Sequence, residues 1–491
     1  MRTSSCLASL LVLLSTAEAN GQSPSTPSSP VSVNVYERAR ADVWQWFAAP
    51  PESETYPYGE SLLRISVAQR IRNWDWFAEL SQPSILGAPS DAVSPIPAQG
   101  QLGLGGTYYA SNGNNSYPAA AFLKQGFVRY HFGEDDKNLR LGRIEFVDGQ
   151  EVTLKDKSMA WLQSNRMAQR LIGNFGFSNA QRSLDGIDGH YGSGTWDITA
   201  MGARADQGVF NMNGNPELNV DAQYLAFTKT NWGQKLLWRA FAIGYHDGRT
   251  GLTKTDNRPL AVRQADHKNI RIGSYGADLL TSFPAGPGNF DFLLWGTLQN
   301  GSWGELSHSA EACAIEAGYQ LTHVPTTPWV RGGFFHSSGD NNPSDNKHNT
   351  FFGVLPTPRV YARDPFYNLM NNQDSFFQVI DRPSKKLELR SDLHWVQLSS
   401  GKDLWYQGGG AFDNKVFGFT GRPANGHTSF DSMVDISSDW QATHNLAVNL
   451  YYAHVWGKRV ISAIYPADST EQFGYVEFVY RWGIQQKTTK K

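Results

Sequence analysis

Apolar and polar residues alternate along many short runs of the chain, most clearly near its C-terminus. Between Gln472 and Trp482 the sequence is QFGYVEFVYRW, in which Gly474, Val476, Phe478, Tyr480 and Trp482 share one parity. Successive side chains of a strand point to opposite faces. This run therefore predicts a strand with one face suited to lipid and the other suited to water.

A half-buried strand of a soluble β-sandwich alternates in the same way, so the other runs decide between the two folds. In KLELRSDLHWVQL (386–398), ionisable residues regularly oppose a row of Leu and Trp. The runs at 62–74 and 445–457 repeat this separation, and no α/β alternation interrupts them. The pattern predicts an all-β transmembrane antiparallel β-barrel of about 18 strands (16–18), given strands of about 10 residues.

Two interruptions of the alternation predict features outside the wall of the barrel. Residues 158–172, SMAWLQSNRMAQRLI, lose the two-residue period and predict about three turns of helix carried on a loop. Residues 282–291 and 337–349 are rich in turn-forming residues and predict long outer loops.

The N-terminus has the three parts of a secretory signal. Arg2 precedes an apolar run, and Ala17-Glu18-Ala19 provides a cleavage site. We divide the chain into a signal peptide (1–19), a Ser/Pro-rich flexible leader (20–34), an outer-membrane barrel (35–482) and a polar tail (483–491). Cleavage would remove Cys6 and leave Cys313 alone, so the mature chain would form no internal disulfide.

Composition narrows the localisation and the partners. Later segments lack the ~20 continuous apolar residues of a membrane helix, whereas aromatic residues, at 13%, suit the interfacial girdles of a barrel. The formal net charge is −2, which gives no sign of the basic surface that nucleic-acid-binding proteins carry. These features predict a multi-pass barrel in the outer membrane of a Gram-negative-type bacterium, in contact with lipid and inserted by the outer-membrane assembly machinery.

The sequence offers little catalytic chemistry, and we predict no catalytic residue and no cofactor. His336, Ser337 and Asp340 lie close together along the chain, but proximity on a loop is not a triad geometry. The oxygen-bearing residues Asp340, Asn342 and Asp345 are candidates for a cation site, with an ordinary solvated loop as the alternative.

A set of ionisable residues falls on the parity opposite the apolar rows and is expected to line the lumen. Guanidinium groups bind carboxylates through paired hydrogen bonds, so this set would favour an anionic solute. It would equally pair with Asp42 and Glu477 on neighbouring strands and hold the wall rigid, and both interpretations stay open. The lumen candidates by parity are Arg38, Arg40, Arg64, Arg70, Arg129, Arg271, Glu388, Arg390, Asp392, His394 and Arg481.

Several short motifs resemble the alginate export family of outer-membrane β-barrels. They are LRLGR (139–143), RSLDG (182–186), EAGYQL (316–321), SGDNNPSDNKHNTFFGVLP (338–356) and the closing YVEFVYRW (475–482). The resemblance implies a monomeric barrel of about 18 strands whose arginine-lined lumen passes an anionic polysaccharide outward. It also adds Arg143, Arg182 and Asp185 to the lumen candidates.

The chain departs from the family pattern at two points. Ile144 stands where family members often carry Gln, and nine residues follow Trp482. The predicted function is an outer-membrane channel for hydrophilic, anionic solutes, which are small anions or an oligo- or polysaccharide. The favoured role is export of an anionic polysaccharide such as alginate. The alternatives are an uptake porin of the same fold and an outer-membrane hydrolase.

Overall fold

The computed structural model describes residues 29–357 and 359–485, which form a closed antiparallel β-barrel of 18 strands. The wall strands are β1 (Ser32–Gln45), β2 (Thr55–Ile71), β3 (Trp74–Leu86), β4 (Phe122–His131), β5 (Lys137–Ile144), β6 (Leu184–Ser193), β7 (Trp196–Asp206), β8 (Glu217–Asn231), β9 (Leu236–Asp247), β10 (Ile270–Ala285), β11 (Gly288–Trp303), β12 (Leu306–Gln320), β13 (Trp329–Ser337), β15 (Asn372–Ser384), β16 (Leu387–Leu398), β19 (Ser429–Gln441), β20 (Leu446–Gly457) and β21 (Thr470–Gln485). Neighbouring wall strands pair in chain order, and β1 pairs with β21 to close the ring.

The predicted barrel and its strand number are confirmed. The first strand begins at Ser32, inside the predicted leader, and the last continues past Trp482 to Gln485. The predicted signal peptide, the leader before residue 29 and the tail after residue 485 lie outside the described residues. Within the described part of the chain, no helix is both long and apolar enough to cross a membrane.

The alternation in the last strand produces the two faces that the sequence predicts. On the outer face Val476, Phe478 and Tyr480 are 40–48% exposed, whereas Tyr475 and Val479 on the inner face are 8% and 3% exposed. The outer row can be apolar because it faces lipid. Each wall strand pairs with a neighbour on both sides, so the closed sheet has no free edge.

Short turns join the strands at one end of the barrel, and longer loops join most of them at the other end, where β11 and β12 are joined by a two-residue turn. The long outer loop predicted at 282–291 is wrong, because these residues form the ends of β10 and β11 and the tight turn between them. Most of the remaining elements lie at the loop end. Most of the helix predicted at 158–172 is present in the loop between β5 and β6. It consists of a short α-helix (157–162) followed by a π-helical turn (163–167). The other elements are α1 (Gly103–Ser111), α2 (Lys157–Leu162), the π-helix Gln163–Met167, α3 (Leu260–Ala265), α4 (Arg459–Ile464), β14 (Lys347–His348) and the inner hairpin β17 (Leu404–Gly408) and β18 (Phe419–Pro423).

The long loops pack against the inner wall and give the barrel a buried core. One apolar cluster joins Leu171 and Leu355 of two loops to Trp295 of the wall. A second cluster is aromatic and includes Trp46, Trp405 and other rings from the loop end of the barrel. We call the loop segments 145–183 and 338–371, together with the inner hairpin, the inner layer.

A β-bulge moves one residue to the face opposite the one predicted. The two-residue period of FLKQGFVRYHF (122–132) places Phe122 on the outer face with Val128. In the structure Phe122 is 4% exposed and shares the inner face with its neighbour Ser81. The pairing of β3 with β4 shifts register between Glu79 and Leu80. Because a bulge inserts one extra residue, parity counted from Val128 fails on its far side.

Candidate functional site

The inner layer is attached to the wall through one carboxylate that three arginines share. Asp156 caps α2, and the π-helical turn that follows carries Arg166 to the wall. Glu316 on β12 lies 2.8 Å from Arg166, 3.1 Å from Arg170 and 3.2 Å from Arg331. All four side chains are fully buried. Removing charges from water is costly, and these ion pairs offset that cost.

A second buried contact joins the start of the same loop to β9 and β10. Arg239 donates to Asp278 at 2.8 Å and lies 3.4 Å from Asp148 and 3.3 Å from Glu151. Burial raises the pKa of the Asp148 carboxyl above its ordinary value. The loop between β5 and β6 is therefore held to the wall at two separate buried charge clusters.

The first predicted lumen arginines also contact this loop. Arg38 donates to the carbonyl oxygens of Gly176 and Ser178 at 2.8 and 2.9 Å. Arg40 donates to Glu60 at 2.5 Å, and its guanidinium lies 3.9 Å from the centre of the Phe177 ring. These two side chains face inward as predicted, and they bind the inner layer as well as carboxylates.

Three further lumen candidates face inward and pair with acids. Arg64 lies 3.0 Å from Glu145, Arg129 lies 3.0 Å from Asp75, and Arg70 lies 2.7 Å from Asp135. The sequence left two interpretations open for these arginines, attraction of an anionic solute and pairing with acids. The contacts of these three arginines correspond to the second. Arginines in such pairs hold the wall together, and their charge is largely cancelled.

The candidates on the last strands also lie on the inner face. Arg390 donates to Asp392 at 2.6 Å. Glu388 accepts from Arg382 at 2.9 Å, and His394 Nδ1 lies 2.9 Å from Asp374. Arg481 lies over the ring of its cross-strand neighbour, Tyr36, at 5.2 Å.

Three predicted lumen residues instead lie on the outer face. Arg143 pairs with Asp185 at 2.7 Å, and both point away from the lumen. Arg271 is exposed on the outer face, between the buried Ile270 and Ile272. The three belong to a polar row that crosses six consecutive strands as direct neighbours. This row is Arg143, Asp185, Arg204, Asp221, His246 and Arg271.

Three arginines of the inner layer make no ion pair within the described residues, and neither does Arg481 on β21. Arg182 donates to the carbonyl oxygens of Gly173 and Leu355, each at 2.7 Å, and burial lowers its pKa to about 9. Arg359 lies 3.5 Å from the centre of the Phe177 ring. Arg422 lies over the Trp405 ring at 4.6 Å and donates to the Gln101 carbonyl oxygen at 2.6 Å. These three guanidinium groups carry positive charge that no carboxylate cancels.

Several buried carboxyl groups also lack a partner. Asp364, Asp431 and Glu471 are at most 2% exposed, and none of their carboxylate oxygens has a hydrogen-bond partner among the described residues. Asp364 lies in the loop segment 338–371, Asp431 on β19 and Glu471 on β21. The inner side of the barrel thus holds both arginines and carboxyl groups that lack an ion-pair partner among the described residues.

The loop residues considered for catalysis or for a cation do not assemble. His336 and Ser337 are adjacent on β13 and so face opposite sides of the wall. Oxygen atoms of Asp340, Asn342 and Asp345 each accept from a backbone N–H two residues further along, at 2.9, 3.2 and 2.9 Å. These side chains form the turns of the loop.

Sequence reasoning missed the arginines that attach the inner layer. Arg239 and Arg331 could have been predicted to face inward, because each lies on a strand at a position that the two-residue period assigns to the polar face. Arg166 and Arg170 lie in the helical loop, where the two-residue period gives no information. Their role depends on Glu316, which is 150 residues from Arg166.

The fold of this barrel is similar to that of several solved bacterial proteins. The structure resembles Acinetobacter baumannii OccAB2 (TM-score 0.57, 10% identity, 92% of this chain and 98% of that chain). It also resembles Pseudomonas aeruginosa OprD (0.56, 10%, 96% and 96%) and P. aeruginosa OpdK solved with vanillate (0.55, 8%, 92% and 99%). At these identities the likeness shows the fold alone.

The sequence comparisons identify the family. A search of curated protein sequences found no match. A family model described as alginate export matches residues 106–473. Because that match covers most of the chain, the protein belongs to the alginate export family and is a β-barrel of the outer membrane.

Proposed function

We propose that this channel passes anionic solutes passively, and that its role is the export of an anionic polysaccharide such as alginate. The observation that supports the proposal is the set of inner-layer arginines without a carboxylate partner, Arg182, Arg359 and Arg422. A guanidinium group presents a planar fork that matches a carboxylate. A uronic acid chain carries a carboxylate on each sugar and would meet such groups in succession.

Passage would be electrostatic and would involve no bond chemistry. Conduction requires each site to bind well enough to admit the solute and weakly enough to release it. The arginines already paired with acids, such as Arg64 and Arg129, would position the wall, while the unpaired ones would attract the solute. We further propose that the barrel acts as a monomer.

The inner layer would have to move during transport. Wall residues on the path, including Arg239 and Arg331, are fully buried beneath loop residues. An extended polysaccharide would need these loops displaced toward the loop end of the barrel. Displacement would also hydrate Arg182 and Arg359 and expose their charge to the solute.

The test is the ion selectivity of the refolded protein in planar bilayers, measured as a reversal potential across a salt gradient. We expect anion selectivity and block by uronic acid oligomers. The double variant Arg182→Gln/Arg359→Gln should lower the anion-to-cation permeability ratio severalfold. Arg271→Gln is the matched control, because it removes a guanidinium from the outer face. A wild-type pore that is unselective and indifferent to the oligomers would contradict the proposal.

An uptake porin is the second candidate, and the unpartnered carboxylates favour it. Asp364, Asp431 and Glu471 would suit a cationic group on a small solute, opposite arginines that suit its carboxylate. One structural neighbour was solved with vanillate, a small aromatic carboxylate. Block by small carboxylates, with no block by uronic acid oligomers, would favour this function over export.

A further inference from the structure

Four buried polar side chains meet on the inner wall where β15, β16 and β19 are adjacent. Gln378, Asp392 and Asp435 are direct cross-strand neighbours, and His394 lies two residues beyond Asp392 on the same face. Potential ligand atoms of Asp392, His394 and Asp435 all lie within 4.8 Å of one another. None of the four side chains is more than 1% exposed.

The hydrogen bonds around this cluster leave one atom free on each titratable side chain. Asp392 uses Oδ2 to accept from Arg390 at 2.6 Å, and Asp435 uses Oδ2 to accept from Tyr451 at 3.1 Å. The second oxygen of each carboxylate and Nε2 of His394 have no partner. Both amide atoms of Gln378 are also without a partner. Buried polar atoms are rarely left in this state, so the cluster points to a ligand.

A further carboxylate orients the imidazole. Asp374 lies 2.9 Å from His394 Nδ1, and neither side chain is exposed. A carboxylate that accepts from Nδ1 leaves Nε2 as the nitrogen with the available lone pair. Histidines that bind metals are usually held by a second group in this way.

The charges of the cluster also favour a cation. Asp374, Asp392 and Asp435 bring three carboxylates together, and Arg390 is the one guanidinium in contact with them among the described residues. Nitrogen and oxygen donors without a thiolate suit Zn²⁺ and similar divalent transition-metal ions, and the imidazole disfavours Ca²⁺ and Mg²⁺.

We propose that Asp392, His394 and Asp435, with Gln378 beside them, bind one divalent transition-metal ion inside the barrel, and that Asp374 is a positioning residue. The site also touches the inner layer, because Arg363 donates its backbone N–H to Asp435 at 3.3 Å and Arg390 donates to the Tyr361 carbonyl oxygen at 3.1 Å. A bound ion would therefore tie segment 338–371 to the wall. The proposal is independent of the transported solute.

The test refolds the untagged chain with and without Zn²⁺, removes free metal by gel filtration, and measures bound zinc by mass spectrometry and by competition with a chromophoric chelator. We expect one Zn²⁺ per chain. His394→Gln should weaken binding at least 100-fold, and Asp374→Asn by about 10–100-fold, as is typical when such an orienting group is lost. His131→Gln is the matched control, because His131 also pairs with a buried wall carboxylate, that of Asp75, at 2.6 Å.

The proposal fails if the folded wild-type barrel retains no zinc, or if His394→Gln and Asp392→Asn bind it as the wild type does. Heat-modifiable migration on gels establishes that each variant has folded. If the variants do not fold, pulsed electron paramagnetic resonance of the Cu²⁺-loaded wild type decides. Coupling to a single imidazole nitrogen would support the site, and absence of that coupling would overturn it.

Discussion

Arg166, in the loop between β5 and β6, and Glu316, in wall strand β12, lie 2.8 Å apart with neither side chain exposed. Arg170 and Arg331 reach the same carboxylate from the loop and from the neighbouring strand. None of these groups would be stable alone in a buried position. The contact therefore fixes the inner layer to the wall by charge, in addition to apolar packing.

Glu316→Gln should release the inner layer. The substitution leaves the buried guanidinium groups of Arg166 and Arg170 without an ion-pair partner, whereas Arg331 keeps Asp291 at 3.0 Å. Breaking a buried ion pair costs about 3–5 kcal/mol. We expect faster hydrogen exchange in residues 157–170 and more frequent open events in single-channel recordings. Glu305→Gln is the control, because its pair with Lys268 is exposed at the surface. Unchanged exchange and conductance in Glu316→Gln would show that the contact does not hold the layer.

The outer face could be predicted because lipid imposes a local rule on it. Each outward position in the bilayer must be apolar whatever the rest of the chain does, so the two-residue period survives in runs such as 472–482. The strand number followed from the same period and from typical strand length. The inner layer had no such rule, since its contacts join residues far apart in the chain.

Arg271 shows where the rule fails. The sequence I-R-I at 270–272 suggests two outward isoleucines and one inward arginine, yet Ile270 and Ile272 are 1% and 2% exposed on the inner side. The inner layer covers the wall at this height and makes the inward face apolar. The outward face there carries the polar row that includes Asp221 and His246. The two-residue period correctly put the isoleucines on one face and Arg271 on the other. The error was to assign the apolar face to lipid.

Leu225→Arg should test the lipid contact of the outer face. Leu225 is 55% exposed near the middle of β8, and its cross-strand neighbours are Ala200 and Ala242. An arginine facing lipid at the midplane costs about 2–4 kcal/mol. The free energy of unfolding from lipid vesicles in guanidinium chloride measures this loss.

The control for that measurement lies on the same strand and face. Gln223→Arg introduces the same side chain two residues nearer the loop end, beside the polar row. There the cost should fall to about 0–1 kcal/mol, as it does near the interfaces. Equal losses at the two positions would mean that depth in the membrane does not distinguish them.

Acidification should loosen the loop that contains β14. His348 is fully buried and stacks on Trp303 at 4.1 Å, and burial lowers its pKa well below the ordinary value, with His308 and Arg258 adding to the effect. The opened loop takes up a proton near pH 6.5 and the closed loop does not, so the closed form loses stability as the pH falls below 6.5. The loss is up to about 1.4 kcal/mol per pH unit.

Hydrogen exchange in residues 338–350 at pH 7.5 and 5.5, corrected for the intrinsic rates, measures this effect. His348→Phe keeps a ring against Trp303 but cannot bind a proton, so its protection should change less with pH. A pH dependence as steep in His348→Phe as in the wild type would place the sensing group elsewhere.

Substitutions at Arg182 should separate its charge from its geometry. Its guanidinium bridges the carbonyl oxygens of Gly173, Leu355 and Gly409, and with a pKa of about 9 it remains protonated at pH 7. Arg182→Lys keeps the charge but cannot reach all of these carbonyls. Each buried acceptor left without a donor costs about 1–3 kcal/mol, so the inner layer should exchange faster.

Anion preference distinguishes the two replacements. Arg182→Lys should keep the reversal potential of the wild type, because a cation still stands at that position when the layer is displaced. Arg182→Gln should lose both the loop protection and part of the anion preference. If Arg182→Lys and Arg182→Gln shift the reversal potential equally, Arg182 acts only by holding the inner layer together, and attraction of the anion rests on Arg359 and Arg422.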